Sequence, residues 1–131
     1  MKKKVLVVSS DYYKEVWTNL CNQTKQLLID KKVKNDFIKV PGVFEIPVTI
    51  AKNIKKYDAF IALGCVIKGE TPHFDFISKA STDAIMKLSI ENKKPIGNGI
   101  ITCLNKEQAI VRSKSKGKEA TEAVLSFLSQ K

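Results

Sequence analysis

Histidine, arginine and tryptophan occur once each in this chain of 131 residues, as His73, Arg112 and Trp17. Cysteine is nearly as scarce. Cys21, Cys65 and Cys103 are odd in number and widely spaced, which suits reduced thiols in cytoplasm and argues against a disulfide framework or a metal site. Long apolar runs are missing: nothing approaches the roughly 20 residues of a membrane span. The opening Met-Lys-Lys-Lys leads directly into Val5-Leu6-Val7-Val8, too short for a signal-peptide core and without a small-residue cleavage site, so export is not expected. Acidic residues are few, 13 against 23 basic ones, and the formal charge is +10. That excess raises the question of nucleic acid. The lysines, however, are scattered over every predicted helix and loop, with no basic stripe interleaved with aromatics and no recognisable nucleic-acid module. Solvated lysine faces account for them, and the surplus can still steer anionic substrates toward the protein. In so lysine-rich a chain the lone arginine suggests a place where a planar, bidentate guanidinium is needed, as in gripping a phosphate; the plainer reading is a chance surface arginine.

What the chain does have is 44% hydrophobic content, enough for one proper core, so residues 1–131 are expected to form one compact domain. Strand and helix patterns alternate throughout. Val5 to Ser9 reads as an apolar strand, followed by a helix over about Tyr13 to Lys31 with Val16, Leu20, Leu27 and Leu28 inward. Asp36 to Val40 reads as a second strand, and Pro41-Gly42 turns the chain into a helix whose apolar positions are Val48, Ala51 and Ile54. Ala59 to Val66 is a buried strand. Lys68 to Pro72 is a tight polar loop, and a helix starts near His73 and runs to about Asn92 with Phe74, Ile77, Ala84 and Leu88 as its stripe. Pro95 opens a fourth strand through Ile96, Ile100 and Ile101. The remainder predicts a short helix from about Asn105 to Val111 and a longer one striped by Ala120, Ala123, Val124, Phe127 and Leu128. Repeated β-α units of this length imply a parallel sheet covered by helices on both faces.

In such a sheet, ligands collect at the carboxyl ends of the strands. Four loops then share one edge: Ser9 to Tyr13, Pro41 to Ile46, Lys68 to His73, and Thr102 to Asn105. His73 falls in the first turn of a helix there, where unpaired N–H groups favour an anion. Each candidate also has a plainer reading. Tyr12 and Phe44 cap a core or sandwich a planar ring. Glu45 is a favourable charge against a helix dipole or a ligand contact. Thr71-Pro72 is an ordinary helix start, with threonine as N-cap and proline at the first helical position.

The motifs narrow these alternatives. Pro41-Gly42-Val43-Phe44-Glu45-Ile46-Pro47, the stretch Gly64 to Phe76, Gly97-Asn98-Gly99-Ile100-Ile101-Thr102 with Asn105, Glu107-Gln108-Ala109 and Arg112, and Lys116-Gly117 with Glu119-Ala120 follow one another in an order and spacing that resemble the lumazine synthases of riboflavin biosynthesis. The resemblance covers nearly the whole chain. It implies a flavodoxin-like, three-layer α/β/α sandwich with a four-stranded parallel sheet, assembled as a homopentamer that stands alone or packs into a hollow capsid. It further implies a cofactor-free condensation of 5-amino-6-(D-ribitylamino)uracil with 3,4-dihydroxy-2-butanone 4-phosphate, giving 6,7-dimethyl-8-ribityllumazine, phosphate and water. No metal, nucleic-acid or membrane partner is implied.

Carried over by position, the resemblance makes His73 the general acid/base and gives Arg112 the phosphate, together with backbone N–H groups around Gly69, Glu70 and Thr71. Tyr12 stacks on the pyrimidine. Phe44 and Glu45 hold the ribityl side. Val66 and Ile67 meet the uracil edge through their backbone, with Lys68 beside them. Asn98 and Lys116 belong to a pocket shared with a neighbouring subunit. The chain departs from the usual pattern at Asp11-Tyr12-Tyr13, where the family commonly has arginine, phenylalanine and asparagine; the Asp11 carboxylate would oppose an incoming phosphate unless it points away. Asn98 replaces a frequent phenylalanine, and the link from Arg112 to Lys116 is short. Two other readings are an archaeal-type riboflavin synthase, disfavoured by the intact Gly69-Glu70-Thr71-Pro72-His73 segment, and a non-catalytic lumazine- or flavin-binding protein, disfavoured by the retention of His73 and Arg112.

Overall fold

The computed structural model describes residues 3–70 and 73–130. Four strands, β1 (Lys4–Ser10), β2 (Lys34–Val40), β3 (Ala59–Ile67) and β4 (Ile96–Cys103), form one parallel sheet in the order β2-β1-β3-β4. The connections are α1 (Lys14–Asp30), a 3₁₀ turn (Val43–Glu45) leading into α2 (Ile46–Lys52), and α3 (Phe74–Asn92), with α4 (Lys106–Leu128) last. This is the flavodoxin-like α/β arrangement expected from the alternating pattern. All nine residues of β3 are buried, as its unbroken apolar run requires of a central parallel strand.

Alternation along the strands divides the core. Val5, Val7, Ile61 and Leu63 face α1 and α4, where they meet Val16, Leu20, Leu28 and Val124. Leu6, Val8, Phe60 and Ala62 face the other way, against Val43, Ile46, Ile50 and Ile85. Each such side chain contributes about 1.5–3 kcal/mol of transfer free energy when fully buried.

Three expectations need correction. The two C-terminal helices are one continuous α4. Its middle, Ser113 to Lys118, is polar and small because it forms a seam with α1. Gln23 Nε2 donates to the Ser113 carbonyl (2.6 Å), Thr121 Oγ1 to Thr24 Oγ1 (2.9 Å), and Thr24 Oγ1 to the Gly117 carbonyl (3.2 Å). Gly117 sits at the closest approach, where an added Cβ would lie 2.5 Å from the Leu20 carbonyl oxygen. Secondly, α2 buries Ile46 and Ile50, whereas Val48 is 65% exposed and Ala51 is exposed, because this short helix starts later and is rotated relative to the predicted stripe. Thirdly, His73 precedes the first turn of α3: with φ −113° and ψ 42° it is the N-cap, and its carbonyl accepts the Ile77 N–H at 2.8 Å. The predicted N-cap and first helical residue, Thr71 and Pro72, lie outside the described residues.

Candidate active site

The loops after β1, β2 and β3 converge at the carboxyl edge of the sheet around a cavity of about 240 Å³, whose lining includes Ser10, Tyr12, Phe44, Cys65, Val66 and Glu70. It lies where the chain reverses its direction of travel across the sheet, since β1 is followed on one side by β2 and on the other by β3. Tyr12 and Phe44 are 69% and 58% exposed at the rim, so neither is a core cap. The Tyr12 and Tyr13 rings meet in a T-shaped contact, centroids 5.0 Å apart. Glu45 precedes α2, where its negative charge suits the helix N-terminus, and its Oε1 lies over Gly42, 3.1 Å from where a Cβ would stand.

The first part of the loop after β3 is tied down at Lys68 and Glu70. Lys68 N–H donates to the Cys103 carbonyl (2.9 Å), and Glu70 N–H closes a turn on the Ile67 carbonyl (3.3 Å). The left-handed φ of +89° at Gly69 makes that turn possible. Of the backbone donors expected to meet a phosphate, the Glu70 N–H is thus engaged within the loop, and Thr71 is outside the described residues. Ile67 is fully buried and its carbonyl is already taken by the Glu70 N–H, so in a single copy it offers no open contact to a ligand. His73 is exposed and lines a neighbouring depression of about 410 Å³ with Lys68, Gly69 and Glu70. Glu70 lines both concavities and joins them.

Arg112 and Lys116 lie elsewhere. One turn apart on α4, they line a third concavity of about 330 Å³ with Ile100 and Thr102, on the side of the edge strand β4. Arg112 Nη1 donates to the Thr102 carbonyl (3.0 Å) and lies 3.8 Å from Cys103 Sγ. Burial raises the Cys103 pKa, opposed by the Arg112 charge. Burial also pushes the Cys65 thiol up to about 12, with smaller contributions from Cys103 and Glu70, so Cys65 is an inert wall of the front cavity. Asn98 is exposed on β4, and its Oδ1 accepts the Ile100 N–H (3.0 Å), closing off one donor on that free edge.

The structure thus gathers Tyr12, Phe44, Val66 and Glu70 at one cavity, sets Lys68, Gly69 and His73 beside it, and leaves Arg112 and Lys116 at another. Sequence reasoning placed Ser10, Tyr13, Gly42 and Val43 only within loops at the site edge, and it did not single out Cys65 or Ile77 as lining residues. Their positions at strand ends and helix starts were the only available signal. The Asp11 carboxylate points away from the front cavity: its Oδ2 pairs with Lys39 Nζ at 3.4 Å. Among the described residues no three His, Cys, Asp or Glu side chains are grouped so as to hold a metal ion. A larger concavity of about 610 Å³ opens between Lys3, Lys32, Lys34, Leu125 and Leu128, and its lining holds neither the histidine nor the arginine.

A parallel sheet with an aromatic-rimmed cavity at its topological switch point defines a flavodoxin-like α/β protein with a small-molecule site. Comparison with known proteins is specific. The family model described as 6,7-dimethyl-8-ribityllumazine synthase matches residues 2–131. Relatives of that name include one from Bartonella tribocorum, 40% identical over 140 residues that span 100% of this chain and 93% of the relative. Another, from Agrobacterium fabrum, is 39% identical, spanning 99% and 95%; one from Corynebacterium kroppenstedtii is 38% identical, spanning 93% and 80%. The chain belongs to the 6,7-dimethyl-8-ribityllumazine synthase family.

Proposed function

We propose that this protein condenses 5-amino-6-(D-ribitylamino)uracil with 3,4-dihydroxy-2-butanone 4-phosphate to form 6,7-dimethyl-8-ribityllumazine. The observation that carries the reading is that His73, the only histidine, stands at a helix start beside a cavity rimmed by Tyr12 and Phe44 in a chain of this family. The pyrimidine lies between these aromatic faces, with its edge toward the backbone of Val66 and Ile67 and its ribityl chain toward Phe44 and Glu45. Lys68 flanks the ring edge.

The 5-amino group attacks the ketone, and loss of water gives an imine. A proton then leaves the adjacent carbon, the C–O bond to phosphate breaks through an enol, and tautomerisation yields a second carbonyl. Attack by the ribitylamino nitrogen closes the ring, and another water departs. Every step moves a proton, and imidazole, which titrates near neutrality, is suited to carry it. Arg112 grips the phosphate, as a guanidinium does best, together with the backbone N–H groups of the Gly69 to Thr71 loop other than the engaged Glu70 N–H. No cofactor takes part.

We further propose that the working site lies between copies of the chain in a homopentamer. Support comes from the separation of the concavities: Arg112, Lys116 and Asn98 lie toward the free edge of β4, and the front cavity, at about 240 Å³, is below the usual range of roughly 300–1,000 Å³ for a ligand site. The β4 side of one copy then completes the front cavity of the next. Exposed Val48, Phe76, Met86, Ile90, Leu104 and Val111 supply apolar surface for such contacts. Closure into a capsid adds only ring-to-ring contacts to this arrangement. The three free, buried thiols suit a cytoplasmic setting.

The deciding experiment mixes purified protein with both substrates and follows lumazine absorbance against a protein-free control. A clear excess over the spontaneous rate is expected. No excess from folded, assembled protein would overturn catalysis and leave ligand binding alone.

A further inference from the structure

Lys39 stands directly across from Ser9 in the β1–β2 register. Ser9 Oγ accepts the Trp17 indole N–H at 2.9 Å, and the Lys39 ammonium lies over the Trp17 ring, 5.5 Å from its centroid. From there Lys39 reaches the Asp11 carboxylate at 3.4 Å. The next residue is Tyr12, on the rim of the front cavity, and after Tyr13 the chain enters α1, with Trp17 N–H donating to the Tyr13 carbonyl at 2.9 Å. The short loop is therefore fixed through Lys39 behind it and through the first turn of α1 after it.

We infer that Lys39 is a positioning residue of the proposed site: by holding Asp11 behind the loop it keeps that carboxylate out of the cavity mouth beside Tyr12. This rests on the reading given above. The charge argument is direct. Glu70 already lines the front cavity, and a second free carboxylate beside it would oppose the phosphate-bearing substrate. The pair is partly exposed, with Lys39 57% and Asp11 27% accessible, so its effect is modest and sensitive to salt. The acidic residue at position 11 is thereby made compatible with an anionic substrate, at the expense of a lysine dedicated to it.

The test compares wild-type protein with Lys39→Met, Asp11→Asn and the double variant. Lys39→Met is expected to raise the KM for the phosphate-bearing substrate about two- to fivefold with little change in kcat. Asp11→Asn should remain near wild type, and the double variant should recover the wild-type KM because the carboxylate is gone. A purely structural role for Lys39 predicts no such rescue. An unchanged KM in Lys39→Met, or a double variant as impaired as Lys39→Met, overturns the inference. Should Lys39→Met fail to fold, Lys39→Gln carries the same comparison. Trp17 is the only tryptophan, so its emission reports on the pair before any substrate is added. If the wild type forms no lumazine, the catalytic reading fails on its own, and the pair is judged by Trp17: emission identical in the wild type, Asp11→Asn and Lys39→Met at low salt overturns it.

Discussion

His73 is poised by position, with its ring exposed at the start of α3 next to Glu70 and Gly69. One general acid/base typically contributes 10²- to 10⁴-fold, and an amine with a ketone has reactivity of its own, so His73→Ala should lower turnover by roughly 10²-fold or less. Single-turnover kinetics at saturating substrate measure this, and an unchanged rate would remove His73 from the mechanism. Arg112→Ala acts on a different quantity. It should raise the KM for the phosphate substrate well beyond that for the pyrimidine, and equal effects on both would count against a phosphate grip. Both residues were legible because each is the only one of its kind. Lys39 was not, since it is one lysine among many and its meaning lies in a 3.4 Å contact with a residue from another strand's loop.

At the scale of elements, α4 shows why polarity alone is a poor guide to where a helix ends. Ser113 to Lys118 resembles a loop in composition, yet the segment is helical because α1 satisfies its polar groups from Asn19, Gln23 and Thr24. Gly117→Ala tests the seam. Alanine favours helix by about 1 kcal/mol, but forcing a methyl group against the Leu20 carbonyl should cost about 1–3 kcal/mol or more. The expected net result is a lower midpoint of urea denaturation with an unchanged slope. A higher midpoint would mean that α1 and α4 separate without penalty. In α2 the short apolar pattern Ile46, Val48, Ile50, Ala51 and Ile54 fits more than one helical phase. Contact with Val43 and Ile85 selects the phase that buries Ile46 and Ile50.

For the whole molecule the free edge of β4 and the sparsely covered α3 are the informative surfaces. α3 fully buries only Ser81 and Ile85, while Phe76, Met86 and Ile90 remain exposed. If neighbouring copies share each site, the impaired His73→Ala and Arg112→Ala proteins, dissociated and reassembled together, should regain part of the wild-type rate at subsaturating phosphate substrate, because some interfaces then combine an intact His73 with an intact Arg112. Mass measurement under native conditions checks assembly independently, with a five-fold ring expected. Mixed assemblies that form but show no more activity than the separate variants would place both residues in one chain's site. The proposed assembly would cover exposed apolar side chains such as Phe76, Met86 and Ile90.

The amino-acid sequence alone determined the order of elements and the parallel sheet, because uninterrupted apolar strands alternating with amphipathic helices allow few other arrangements. It also pointed to the carboxyl edge as the place to look for a site, and made His73 and Arg112 stand out as the only residues of their kinds. Tertiary structure decided what local pattern leaves open: the continuity of α4, the phase of α2, the direction of the Asp11 side chain, and the separation of Arg112 from the cavity beside His73. Each depends on contacts between residues far apart in the chain, Gln23 with Ser113, Val43 with Gly64, Lys39 with Asp11, and Arg112 with the end of β4. Periodicity records which face of an element is apolar. It carries no information about which distant partner will satisfy a particular polar group, because that choice is made only when the layers pack.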